Sequence, residues 1–96
     1  MTVIIYSKPG CSYCDKAKIM MKEIQLPYEE VVLKPEDADY TQKRDNLFSQ
    51  YNHKSYPIII VGGIFVGGYS ELVHSYDTLK LHSLCADIGI DIPFEF

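Results

Sequence analysis

The stretch TVIIYSKPGCSYCDKAK, residues 2–18, limits the possible folds more than any other part of the chain. A short β-branched run meets a Lys-Pro-Gly break. A segment with helical spacing of apolar residues (Cys14, Ala17, Met20, Met21, Ile24) follows at once. A buried strand therefore hands over to a helix near Cys11, and Pro27 stops that helix after about Ile24. The alternation continues. YEEVVL reads as a second strand, and DADYTQKRDNLFSQY as a helix with Leu47, Phe48 and Tyr51 on one side. PIIIV and IFVG read as strands joined by Gly62-Gly63, a dipeptide favoured in two-residue hairpin turns. GGYSEL is a turn in which Ser70 is expected to cap a short helix. Asp77 is expected to cap a last helix carrying Leu81, Leu84, Cys85 and Ile88, ended by Gly89. The Val-Gly-Gly copies at Val61 and Val66 are too close to form a repeat and read as separate turns.

The order β-α-β-α-β-β-α implies an α/β fold: one small mixed sheet with helices on both faces. The length of 96 residues suits a single domain over 1–96, with the tail from Gly89 assigned no role. Three cysteines do not make a disulfide framework. The opening MTVIIY lacks a basic lead-in, so no signal peptide is expected, and PIIIV is too short to cross a bilayer. A reducing, cytoplasmic setting is the corresponding expectation, and there a Cys-x-x-Cys reads as catalytic or metal-binding. The net charge of −4 argues against nucleic acid as a partner. Lys8, Lys16, Lys18 and Lys22 stand against Asp15 alone in residues 8–22. They form either a patch that suits an anionic small molecule or a solvated helix face.

Cys11 and Cys14 lie three apart at the start of a helix, within the Cα spacing a disulfide tolerates. Unpaired N–H groups and the positive dipole end would stabilise a thiolate at Cys11, with Lys8 adding charge. Cys14, facing the core, should keep a higher pKa. If the Cys11 pKa falls from about 8.5 to about 5, the thiolate fraction at pH 7 rises roughly 30-fold. Intrinsic nucleophilicity falls by a similar factor at a Brønsted slope of about 0.4–0.5. The gain then comes when Cys11 is the leaving sulfur, which favours turnover of mixed disulfides. A zinc site would need further ligands from His53, His74, His82 and Cys85, and none of these forms a second close pair. Cys85 sits on an apolar helical stripe and reads as core. A pair with no chemistry remains the plain alternative.

KPGCSYC, SYP at 55–57 and GGYSEL at 67–72, in that order and spacing, resemble the glutaredoxin family over about Thr2 to Leu84. A thioredoxin would show Trp before its first cysteine and Gly-Pro between the two. The resemblance implies a thioredoxin-like fold, with a central four-stranded mixed sheet flanked by helices. It also implies a glutathione-dependent thiol–disulfide oxidoreductase with no tightly bound cofactor. By position, Cys11 would be the nucleophile, Cys14 the resolving thiol, and Tyr13 a flank to the glutathionyl sulfur. Lys8 and Arg44 would hold glutathione carboxylates, and Pro57 would be cis, turning the Tyr56 backbone toward the ligand. Gly68, Ser70 and Glu71 would receive the γ-glutamyl end at a helix start. Ser-Tyr-Pro replaces the family's usual Thr-Val-Pro, and Ser and Glu stand where it often carries Asp.

The implied partners are glutathione and disulfide-bearing proteins, a ribonucleotide reductase among them, with no membrane partner and a monomeric chain. Ser12 after the first cysteine keeps an alternative open: a [2Fe–2S] cluster shared by two protomers, with Cys11 from each and two glutathiones as ligands. A third reading is a thioredoxin-like reductant served by a reductase rather than glutathione.

Overall fold

A computed structural model describes residues 2–93. Val3–Ser7 forms β1, Ser12–Glu23 α1, Glu29–Val32 β2, Tyr40–Tyr51 α2, Ile58–Val61 β3, Ile64–Gly67 β4, Tyr69–Asp77 α3 and Lys80–Ala86 α4. The four strands make one mixed sheet in the order β2-β1-β3-β4. β1 pairs parallel with β2 and antiparallel with β3, and β4 returns antiparallel along β3. This is the four-stranded α/β architecture expected from the sequence.

Alternation along β1 sends Val3, Ile5 and Ser7 to one face, all buried. There they meet Ala17 and Met21 of α1, Leu72 of α3, and Leu81 and Cys85 of α4. Ile4 and Tyr6 point to the other face, where Leu47 and Phe48 of α2 cover Ile58 and Ile60. Helices on both sides explain why β3 is an unbroken apolar run buried along its whole length. β2 is an edge strand, exposed throughout. The hairpin between β3 and β4 turns at Gly62 and Gly63, both at positive φ (56° and 82°), where glycine is unstrained.

Two caps differ from the sequence expectation. Gly68, not Ser70, precedes the first turn of α3, because the Glu71 carboxylate reaches back to accept the Gly68 N–H at 2.7 Å. This is the acidic half of a capping box. Asp77 ends α3 instead of starting the last helix, and α4 begins after Leu79, at φ 65°. The last helix thus starts two residues later than expected and ends at Ala86, so Ile88 lies beyond it. Of the tail, Ile90 and Ile92 pack on the main core, and residues 94–96 lie outside the described residues. Among the described residues, no helix is long and apolar enough to cross a membrane.

Candidate functional site

The loop from β1 delivers Cys11 to the N-cap position of α1, with extended backbone and its sulfur accepting the Cys14 N–H at 3.2 Å. That N–H is one of the orphan donors of the helix start. A sulfur in this position gains most when it is negative, which is the physical basis for a stabilised thiolate. Cys14 lies one turn in and is 1% exposed. The two Cα atoms are 5.2 Å apart and the sulfurs are joined as a disulfide.

Cys11 opens onto a depression of about 380 Å³ lined also by Lys8, Tyr40, Arg44, Phe48, Lys54, Ser55 and Tyr56. Its neighbour, about 250 Å³, is lined by Tyr13, His53, Ser55, Tyr56, Pro57, Gly68, Tyr69, Ser70 and Glu71. The two hollows share Ser55 and Tyr56. Every residue proposed from the sequence, apart from the buried Cys14, therefore lines one or the other. A further hollow of about 550 Å³ shares Ser70 and Glu71 but runs away from the cysteines, toward His74, Lys80 and Leu84.

The Tyr56–Pro57 bond is cis. The Tyr56 ring packs edge-on against Phe48, and its hydroxyl donates to the Tyr40 hydroxyl at 3.3 Å. Burial, then this hydrogen bond, raises the Tyr56 phenol well above its ordinary pKa. Lys8 lies 5.6 Å from the centre of the Tyr56 ring. Arg44 lies 5.6 Å from that of Tyr40, and its guanidinium pairs with Asp45 at 2.9 Å. Two cations thus flank a pair of tyrosines beside Cys11. Tyr13 is 55% exposed, 6.1 Å from Tyr69, with Lys16 over its ring. Gly67, at φ 129°, ends β4 where a Cβ would meet the Glu71 side chain at 2.6 Å, so glycine is required there.

Sequence reasoning did not assign Tyr40, Phe48, His53, Lys54, Ser55 or Tyr69 to the site. Ser55 and Tyr69 lie within the SYP and GGYSEL motifs and His53 and Lys54 just before the first, whereas nothing in the sequence brings Tyr40 to Tyr56. It also missed a polar cluster behind the cysteines. Ser7, 2% exposed, donates its hydroxyl to Glu30 Oε2 at 2.6 Å. The same oxygen accepts Lys18 Nζ at 2.9 Å, and Lys18 lies 3.6 Å from Asp15. The Ser7 hydroxyl and Lys18 hold the Glu30 carboxyl below its ordinary range, and Glu30 raises the Lys18 ammonium. Lys18 is therefore paired, and the cationic patch read from residues 8–22 is smaller than its lysine count. Cys85 is fully buried, and burial pushes its thiol up to about 11. Among the described residues, no three His, Cys, Asp or Glu side chains gather as a metal-binding group.

A family model described as glutaredoxin matches residues 3–66. The chain is 32% identical over 91 residues to Glutaredoxin-C8 of Oryza sativa subsp. japonica, covering 94% of this chain and 65% of that protein. It is 35% identical over 81 residues to the mitochondrial Glutaredoxin-2 of Rattus norvegicus, covering 83% and 46%. It thus spans between about half and two thirds of these relatives' lengths. A crystal structure of a buckwheat glutaredoxin–glutathione complex superposes with a TM-score of 0.84 at 20% identity, covering 94% of this chain and 81% of that one. At that identity the likeness speaks for the fold.

Proposed function

The chain belongs to the glutaredoxin family, and from that premise we propose that it is a glutathione-dependent thiol–disulfide oxidoreductase acting through Cys11. The observation that carries this reading is the Cys11 sulfur at a helix N-cap, opening on a hollow that holds Lys8, Arg44 and Tyr56. The Cys11 thiolate attacks a mixed disulfide, the substrate thiol leaves, and glutathione stays on Cys11. A second glutathione thiolate attacks the glutathione sulfur, and Cys11 departs as a thiolate held by the Cys14 N–H. In the dithiol route Cys14 attacks Cys11 Sγ instead, closing the disulfide seen here.

In the proposed arrangement glutathione spans the two hollows. Its carboxylate at the glycyl end meets Lys8 and Arg44 in the first. Its backbone pairs with Tyr56 beside cis-Pro57, and Tyr13 flanks the sulfur. Its γ-glutamyl end reaches Gly68, Ser70 and Glu71 in the second. Because Glu71 already takes the Gly68 N–H, its carboxylate is placed to receive the γ-glutamyl ammonium, leaving the carboxylate to the other N–H groups of the α3 start. Protein disulfides, such as that of a ribonucleotide reductase, are the proposed dithiol substrates in a cytoplasmic setting.

The test is turnover of a small glutathione mixed disulfide with glutathione, glutathione reductase and NADPH. Wild type and Cys14→Ser are expected to be active and Cys11→Ser to fall to background. An inactive wild type, or an active Cys11→Ser, would overturn the reading.

A further inference from the structure

Ser7, Glu30 and Lys18 form a polar cluster that joins three elements of the fold. Ser7 is the last residue of β1, directly before the loop that carries Cys11. Its hydroxyl is buried, so it needs an internal partner, and Glu30 supplies one at 2.6 Å. Glu30 lies opposite Ile5 in the parallel β1–β2 register, so it projects from the sheet face that α1 covers. Lys18 comes from α1, four residues after Cys14. Helical side chains lean toward the N-terminus, so its ammonium overlies the turn that holds Cys14 and Asp15. The 3.6 Å approach to Asp15 agrees. One carboxylate oxygen, Glu30 Oε2, thus ties together the end of β1, the edge strand β2 and the first turns of α1.

Side-chain exposures of 27% for Lys18 and 29% for Glu30 make this ion pair a weak source of stability. Its position matters more. Buried Cys14, Ala17 and Met21 seat α1 on the sheet, and the polar tie from Lys18 through Glu30 to Ser7 adds a directional link between the first turns of that helix and the strand end before the Cys11 loop.

We propose that Glu30, held by Ser7 and Lys18, is a positioning residue for ring closure: it keeps Cys14 aligned for attack on a mixed disulfide at Cys11. This rests on the dithiol route proposed above. In that step Cys14 gives up its proton to solvent and its thiolate attacks Cys11 Sγ. The bond from Cys11 to the substrate sulfur breaks, and that sulfur leaves with the electron pair. The substrate is reduced as the Cys11–Cys14 pair is oxidised. Alignment of reacting groups is worth large factors in rate, and a small lateral drift of α1 forfeits part of it.

The test separates the two thiols without glutathione. Reduced protein is mixed with the aromatic disulfide DTNB. The first coloured thiolate released reports attack by Cys11, and the second reports closure by Cys14. Glu30→Gln and Lys18→Met are expected to slow the second phase roughly three- to tenfold, leaving the first within twofold of wild type. Lys18→Arg, which keeps the charge and a donor to Glu30, is expected to restore it. The proposal is overturned if the second phase matches wild type in both variants, or if both phases fall together. Lys18→Met, altering a partly exposed helix face, carries the test should Glu30→Gln not fold. Because no glutathione enters, a failure here is distinct from an inactive wild type in the coupled assay.

Discussion

Cys11 lies at the lip of a hollow, its sulfur on the helix N-cap and three cations, Lys8, Arg44 and Lys54, along the same walls. Cys14, 5.2 Å away by Cα, is 1% exposed, and Lys18, one turn further along the helix, is bound to Glu30 and close to Asp15. One helix turn thus separates a sulfur at a helix start beside cations from a sulfur buried in the core. The same backbone produces both, because the orphan N–H groups of a helix exist only at its first turn.

The sharpest way to break that comparison is to let the thiols compete. With the protein reduced, iodoacetamide at pH 7 is expected to modify Cys11 at least about 100-fold faster than Cys14. Cys85 serves as the internal control. With its thiol pushed up to about 11, roughly one molecule in ten thousand carries the thiolate at pH 7, and the site is fully buried besides. It should react only after unfolding. Peptide mass mapping over time reads all three. Comparable rates at Cys11 and Cys14 would show that the helix start does not distinguish them.

A smaller effect sharpens the cationic side. Lys8→Ala and Arg44→Ala are each expected to raise KM for glutathione roughly three- to tenfold while kcat changes little. Both groups are near the surface, so raising the ionic strength should act in the same direction on the wild type and less on each variant. A drop in kcat without a change in KM would instead place these cations on the transition state rather than on the bound carboxylate.

The two sides also differ in how far the sequence reveals them. On the Cys11 side the breaker and the cysteine at a helix start are legible as local signals, whereas Arg44, Pro57, Gly68, Ser70 and Glu71 were placed at the site only through the likeness to the glutaredoxin family. The sheet was legible for the same reason, since β1 and β3 carry their burial in their own residues. The Cys14 side was not. Ser7 and Glu30 are 23 residues apart, and Glu30 sits in an exposed edge strand where a carboxylate ordinarily signals only solvent. Their meeting depends on the parallel β1–β2 register, which no local pattern encodes. The α3–α4 break was expected at Asp77, two residues early, because Leu79 adopts a left-handed conformation usually reserved for glycine or asparagine and nothing in its identity marks it as the cap. Tyr40 and Tyr56, 16 apart, meet because α2 packs on the sheet face that carries Ile58 and Ile60.

The smallest effect concerns what the Glu30 tie contributes to stability, and its sign follows from linkage. The folded-state pKa of Glu30 is depressed below the ordinary 4.5, first by the Ser7 hydroxyl and then by Lys18. The unfolded chain therefore binds more protons across that window, and stability rises with pH there. The contribution is fully present above the unfolded value and is lost as pH falls through the folded one. Lys18 is raised above 10.5 by the same partner, so its share is lost only when pH rises through that higher value. Between these limits the pair is intact. Solvent reaches both side chains, which holds the net contribution below about 1 kcal/mol. Urea unfolding of wild type and Glu30→Gln from pH 7 to pH 3 should therefore show a small gap at neutral pH that closes in acid. A gap that stays constant across this range would mean that Glu30 acts on stability through packing rather than charge. A closing gap combined with a slow second DTNB phase at pH 7 would show that an interaction worth little in stability still governs where Cys14 stands.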